Sequence, residues 1–455
     1  MSGLPEGLLV AYYGDDFTGS TDAMEAMTTA GVPTVLFMDT PTPQMRAAFP
    51  EARCIGVAGS SRGRSPAWMD AELPKVFSAL AALGAPILHY KVCSTFDSAP
   101  DTGSIGRAID LGTRAMPGRW SPVIVGVPRL KRYQYFGNLF VAVDGVGYRL
   151  DRHPTMSRHP VTPMREADLP RHLAAQTARR IALIDVLQLE AGAAAARVEA
   201  LAGDDVPAIF IDVMDEATLT AAGRLVWEGR GPGLFSASSS GLGYALTAWW
   251  RASGLLPPQA ALPAASPVPA ILVVSGSCSP VTAAQIAWAR AHGFRTERLQ
   301  LPAALDPRTR EQEIARVVDI AVAALREDVS PVIFSAEGPC ADSVERFEAV
   351  ARAVGLSRQD AARQVGRALA QVMRRVLDAA GPQRAVVAGG DSSGEIVHAL
   401  GIQALTIAAR LAPGAPLCRA WSQTAARNGL ELVLKGGQMG EDNFFGLVRD
   451  GAAAP

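Results

Sequence analysis

Short apolar runs alternate with longer stretches of helical periodicity along most of this chain. The runs at residues 8–13, 34–38, 54–58, 87–92, 123–127, 181–186 and 208–213 read as strands. Ala/Leu-rich stretches at 69–83 and 187–202 read as helices between them. That alternation predicts an α/β fold, a mostly parallel sheet covered by helices. Residues 139–162 break the rhythm and are expected to form an insertion or hairpin at the sheet edge. Five prolines then fall within residues 255–269, too many for a regular helix or central strand. The expected organisation is a first domain over 1–254, a semi-extended linker over 255–269 and a second domain over 270–455. The second domain repeats the pattern, with strands at 270–275, 332–335, 385–388 and 432–434. Two α/β domains on a linker suggest a ligand cleft between them.

The first run stops at Gly14-Asp15-Asp16-Phe17-Thr18-Gly19-Ser20-Thr21-Asp22. Strand, polar turn and helix (expected from about Asp22 to Ala30) is the unit with which open α/β sheets hold ligands at their carboxyl edge. Two adjacent acids there call for a cation, a hydroxyl to deprotonate or a donor-rich substrate. Ser60-Ser61-Arg62 follows the third strand, and Lys91-Val92-Cys93-Ser94-Thr95-Phe96-Asp97-Ser98 follows another. Arginine offers a planar fork for a carboxylate, lysine a mobile charge, and Ser/Thr hydroxyls suit sugar hydroxyls. A lone basic residue on a loop is ordinarily just solvated; the shared position at strand ends is what singles out Arg62 and Lys91.

Three turns mark the second domain. Ser275-Gly276-Ser277-Cys278-Ser279-Pro280-Val281-Thr282 sets an N-cap and first-turn proline after a strand, with Gly293 as the helix stop. Gly389-Gly390-Asp391-Ser392-Ser393-Gly394 and Lys435-Gly436-Gly437-Gln438-Met439-Gly440 follow two more strands. Each alone is an ordinary tight turn or capped helix. Together they favour nucleotide phosphates, because small residues and helix N-termini leave backbone N–H groups open to anions. Neither a Walker A loop nor a Rossmann fingerprint is present.

The totals narrow the class. Forty-three basic and 44 acidic residues leave a net charge of −1, so no global field recruits nucleic acid or an anionic membrane. No run has the length of a transmembrane helix, and the N-terminus lacks a signal-like core. Five scattered cysteines without a Cys-x-x-Cys pair fit a reducing cytoplasm rather than a disulfide or zinc framework. His153 and His159 lack metal-ligand spacing, and Trp249-Trp250 read as packing.

Taken together, these segments resemble the four-carbon acid sugar kinase family, long known as a two-part domain of unknown function. Its Ala-Asp-Asp-hydrophobic-Thr-Gly-Ala motif stands as Gly14 to Ser20, and its Gly-Ser-x-Ser-Pro-x-Thr element as Gly276 to Thr282, followed by Gln285. Its Gly-Gly-Glu-Thr-Ser/Ala-Gly loop stands as Gly389 to Gly394, and its Lys-Ser-Gly-Asn-Phe-Gly turn as Lys435 to Gly440. The resemblance implies an ATP-dependent kinase of small sugar acids, with the acid on the N-terminal domain and the nucleotide on the C-terminal one. Asp15 and Asp16 fall at the catalytic position; Thr18, Gly19, Ser61, Arg62, Lys91, Ser94 and Asp97 fall in the substrate site. Ser277, Ser279, Gly389, Gly390, Asp391, Ser392, Gly436 and Gly437 fall where relatives meet ATP, and Asp391 is the candidate Mg2+ ligand.

The departures lie on the substrate side. The family's Lys-x-Asp-Ser-Thr-Leu-Arg-Gly reads here with Cys93 for the aspartate and Asp97 for the arginine. That reverses local charge and should change which acid binds or how it is oriented. Tetronate, 3-oxo-tetronate and a branched acid such as 3-oxo-isoapionate all fit the resemblance. The expected mechanism is direct phosphoryl transfer, with Asp16 as base because strand alternation points the two acids apart. Arg62 and Lys91 would hold the substrate carboxylate. Two rivals stand beside it: a sugar-acid- or nucleotide-binding protein with altered catalysis, and an NAD-linked dehydrogenase, which the missing fingerprint disfavours. The sequence leaves the oligomeric state open, a homodimer among the options.

Overall fold

A computed structural model describes residues 3–143, 145–158, 161–257, 262–338, 341–412 and 414–451, the side chains of 341–344 and 390–392 excepted. Parts of the 255–269 segment, together with His159 and Cys340, lie outside the described residues. The chain divides into two units, Met1–Ala261 and Leu262–Pro455.

In the first unit, five parallel strands lie in the order Leu234–Ser238, Ile87–Lys91, Val10–Gly14, Cys54–Val57, Thr34–Phe37. All five are buried along their length, which is why they read as unbroken apolar runs rather than alternating ones. Phe77, from the helix Pro66–Ala81, meets the rings of Tyr90 and Phe235 edge-on at 5.9 and 5.3 Å. Burying such a side chain contributes about 1.5–3 kcal/mol, and here it fixes the height of Ile87–Lys91, and hence of Lys91. The register sets Gly14 beside Lys91, and Lys91 beside Ser238. The turns that follow these strands therefore open at one carboxyl edge.

Several expectations need correcting. The run at 123–127 is a strand only over Ser121–Val123, and it belongs to a separate parallel sheet with Ala208–Ile211 and Ile181–Ile184. Residues 139–162 are not an edge hairpin of the main sheet. Asn138–Val143 pairs with Arg132–Tyr135 and Val146–Arg149 in an antiparallel sheet of its own, tied to Val213 by a bridge from Gln134. The stretch 187–202 is two helices, Val186–Glu190 and Ala194–Leu201, because Asp185 and Gln188 form a capping box and Gly192 takes a positive φ between them. The first helix starts at Phe17 rather than Asp22, capped by the Asp16 carboxylate.

In the second unit, five parallel strands run in the order Glu431–Lys435, Arg384–Ala388, Leu272–Ser275, Pro331–Phe334, Arg295–Arg298. A long antiparallel hairpin, Ile402–Ala412 with Ala415–Ser422, adds beyond Glu431–Lys435. The buried Arg384 guanidinium pairs with Glu431 at 2.6 Å and donates to the carbonyls of Val448 and Ser266. It thereby ties the segment entering this unit and its last helix to the sheet, and removing one partner of such a buried pair costs about 3–5 kcal/mol. Among the described residues, no helix is long and apolar enough to cross a membrane.

Candidate active site

The acidic pair meets a single guanidinium. Arg62 donates from Nε and Nη2 to the two oxygens of Asp15 at 3.1 and 2.8 Å, and from Nη1 to Asp16 Oδ2 at 2.8 Å. The expectation that the two acids point apart is overturned. The strand ends at Gly14, so alternation no longer governs Asp16, whose extended N-cap backbone turns its carboxylate to the same side. Its other oxygen accepts from the Gly19 N–H at 2.7 Å. The backbone closes the frame, with Arg62 N–H donating to Asp15 O and Asp15 N–H to Lys91 O.

Gly19 allows this crowding. A Cβ there would collide with Asp16 Oδ1 and stand 3.1 Å from Lys91 Nζ. The Lys91 ammonium is buried and pairs with Asp22 at 3.2 Å. Asp22, one helical turn beyond Thr18, escaped the sequence reading; the i, i+4 spacing along the new helix was the available signal. The second oxygen of Asp22 and the Thr18 hydroxyl are buried without a hydrogen-bond partner among the described residues, a donor and an acceptor left for a ligand.

Burial pushes the Asp15 carboxyl up to about 6, with Arg62 opposing and the neighbouring Asp16 reinforcing. Asp16 is a quarter exposed while Asp15 is almost wholly covered. Ser61 is near but committed, its hydroxyl 2.8 Å from that of Tyr90. The rewritten turn forms one wall. Thr95 Oγ1 lies 2.6 Å from the Asp97 carboxylate and 2.9 Å from Cys93 Sγ, and Asp97 and Cys93 act electrostatically on Arg62. Phe96 between them is buried with a φ of 53°, the left-handed strain that ligand-clamping turns often hold. Burial, reinforced by Asp97, pushes the Cys93 thiol up to about 11, so it is no nucleophile at neutral pH. Ser94 sits half-buried in the same turn.

In the second unit, the register aligns Ser275, Ala388 and Lys435 at the ends of adjacent strands, so the three Gly-rich turns emerge side by side. Ser279 Oγ caps the helix Pro280–Ala291 through the Val281 N–H at 3.2 Å, and Ser277 Oγ accepts from the Ser279 N–H. Thr282 Oγ1 holds the carbonyl of Gly437 at 2.9 Å, and Gln285 Nε2 gathers the carbonyls of Met439, Gly440 and Glu441. Gly437 must lack a side chain, since a Cβ would lie 2.7 Å from Ser277 Oγ. The Gly389 N–H donates to Lys435 O at 3.0 Å, and Gly389 stands at the start of the helix Gly390–Ala399. The side chains of Asp391 and Ser392 lie outside the described residues, as does Gly390 beyond its place in that helix. Lys435 is fully buried, its ammonium 3.1 Å from Thr282 Oγ1, and burial lowers its pKa to about 8.

Among the described residues, no group of three His, Cys, Asp or Glu side chains could hold a metal ion. The Asp15/Asp16 donor set does not fit one either, because Arg62 already bridges it.

A family model described as the sugar-binding N-terminal domain matches residues 10–246, and one described as the nucleotide-binding C-terminal domain matches residues 272–445. The chain is 68% identical to a 3-oxo-isoapionate kinase of Paraburkholderia graminis, over 99% of this chain and 96% of that one. It is 33% identical to a 3-oxo-tetronate kinase of Methylobacterium radiotolerans, over 96% of this chain and 97% of that one. A solved structure from Salmonella typhimurium LT2 superposes with a TM-score of 0.76 at 26% identity, covering 96% of this chain and 97% of the other. With both family models in register on the two units that carry these turns, the chain belongs to the four-carbon acid sugar kinase family.

Proposed function

We propose that this chain transfers the terminal phosphoryl group of ATP to a hydroxyl of 3-oxo-isoapionate. The observation that carries the choice of acid is the full-length identity of 68% to the Paraburkholderia graminis kinase, about twice that to the Methylobacterium radiotolerans 3-oxo-tetronate kinase. The rewritten Cys93–Asp97 turn supports it, since it puts a carboxylate and a thiol where the family pattern has an arginine and an aspartate.

The first unit would hold the acid. Asp16, the more exposed of the pair, accepts the proton of the attacking hydroxyl, while Asp15 orients Arg62. Thr18 and Asp22 offer their unpartnered oxygens to substrate hydroxyls. In the second unit, the N–H groups of the three turns would seat the phosphates, with Gly437 leaving no room for a side chain beside the Ser277 hydroxyl. Phosphoryl transfer needs mainly positioning and charge neutralisation. Magnesium, when bound with ATP, supplies part of that neutralisation, and Asp391 is the residue we assign to it. Free cysteines suit a cytoplasmic enzyme.

The test is ADP release with ATP and a panel of acids. We expect kcat/KM for 3-oxo-isoapionate to exceed that for 3-oxo-tetronate by about 100-fold, as for a pocket that sorts two acids by a small difference in size. A reversed preference, or no ADP release with either acid, rejects the assignment.

A further inference from the structure

Both cations expected to bind the substrate carboxylate are already neutralised within the protein. Arg62 spends Nε, Nη1 and Nη2 on Asp15 and Asp16, and Lys91 pairs with Asp22. An anionic substrate would have to break one of these pairs or find another cation. Arg132 is placed to be that cation. It opens the strand Arg132–Tyr135 of the small antiparallel sheet, where the backbone turns through the left-handed Lys131. Its own backbone exchanges hydrogen bonds with Val127 at 2.8 and 3.2 Å. The segment it pairs with runs on from Ile124, whose carbonyl accepts from the Ser239 N–H just past the strand end where Ser238 lies beside Lys91, and the Asp22 carboxylate acts on Arg132 electrostatically, which puts it beside the same site.

Its side chain is held by one nitrogen only. Nη1 donates to the Leu130 carbonyl at 2.6 Å. Nε is buried without a hydrogen-bond partner, and Arg132 makes no ion pair among the described residues. The Nε–Nη2 edge is therefore an unused planar fork, the geometry that takes a carboxylate with two parallel hydrogen bonds. A buried, unpaired donor on a cation is costly unless a ligand completes it. We propose that Arg132 is the residue that binds the carboxylate of the sugar acid, side-on through Nε and Nη2, leaving Arg62 to the acidic pair. This rests on the sugar-acid kinase reading and assigns the part of that site which recognises the acid group.

The test compares the full-length enzyme with Arg132→Lys and Arg132→Met, measuring steady-state kinetics and calorimetric binding of 3-oxo-isoapionate. We expect the acid's KM and Kd to rise about 10- to 100-fold in both variants, as for a lost charge-assisted pair. The KM for ATP should stay within about threefold and kcat should change far less than KM. Selectivity against the analogue bearing an amide in place of the carboxylate should collapse. An unchanged acid Kd in either folded variant overturns the proposal, as does a KM for ATP that rises in step. Arg132→Lys keeps the charge and the stem, and carries the test if Arg132→Met does not fold. Arg132-dependent acid binding without turnover would reject the kinase assignment while leaving this one standing; no acid binding by the wild type would reject both.

Discussion

Arg62 gives three nitrogens to two carboxylates, and the site's pH response follows from that sharing. The Asp15 carboxyl titrates near 6, above its ordinary value, because burial outweighs the attraction of Arg62. A raised carboxyl binds its proton more tightly in the folded chain, so the stability it contributes is present at low pH and declines as pH rises from about 4 to about 6. Activity should run the other way, since protonated Asp15 no longer anchors Arg62. We expect kcat/KM for the acid to fall below pH 6 with a single ionisation, and this limb to vanish in Asp15→Asn. Asp16→Asn should lower kcat about 10²- to 10⁴-fold without moving the limb. Initial rates from about pH 5 to about pH 9 check both, and undiminished turnover in Asp16→Asn would end its role as base. Asp15, Asp16, Arg62 and Lys91 were legible as residues because each stands at the end of an apolar run. Their pairing was not: the partners are 46 and 47 residues apart, and at a strand end periodicity no longer says where a side chain points. Arg132 left no mark at all, since its place depends on the separate antiparallel sheet.

At the level of the element, the parallel strands of the second unit bring Lys435 to the base of three turns, with no carboxylate paired to it among the described residues. Burial lowers it to about 8, and its ammonium rests against the Thr282 hydroxyl and the Phe444 ring. A lysine depressed in this way destabilises the fold while charged, and the penalty disappears as pH rises from about 8 to its ordinary 10.5. Lys435→Met should therefore stabilise the protein at pH 7 by about 2 kcal/mol, a gain that fades towards pH 10.5. The same variant should lose nucleotide affinity. Denaturant midpoints and ADP titrations at pH 7 and pH 9 read the two effects separately; a destabilised variant would contradict the burial penalty, and intact ADP binding would contradict a part for Lys435 in shaping the nucleotide turns. The strands and turns of this unit were visible as apolar runs ending in glycines. The hairpin Ile402–Ala412 with Ala415–Ser422 was not, because its long, irregular strands bear several register shifts and mix buried with half-buried positions.

Across the whole molecule, the order of strands, turns and helices carried the fold class, since buried parallel strands write themselves as apolar runs. The fine division into a five-stranded sheet, a second parallel sheet and an antiparallel meander depended on pairings between distant segments, which composition does not encode. One property emerges only when the charges are taken together. Asp15, Asp16, Asp22 and Asp97 face Arg62, Lys91 and Arg132, so the proposed acid-binding site carries a surplus of negative charge before any anionic substrate arrives. Transfer of a phosphoryl group adds about 1.5–2 further negative charges to that substrate at pH 7. On the proposed function, the bound product would be repelled by the carboxylates that position its precursor, and turnover itself would drive departure. The phosphorylated acid should be a poor product inhibitor, with an inhibition constant about tenfold above the substrate KM, and Asp97→Asn should narrow that gap by slowing product release.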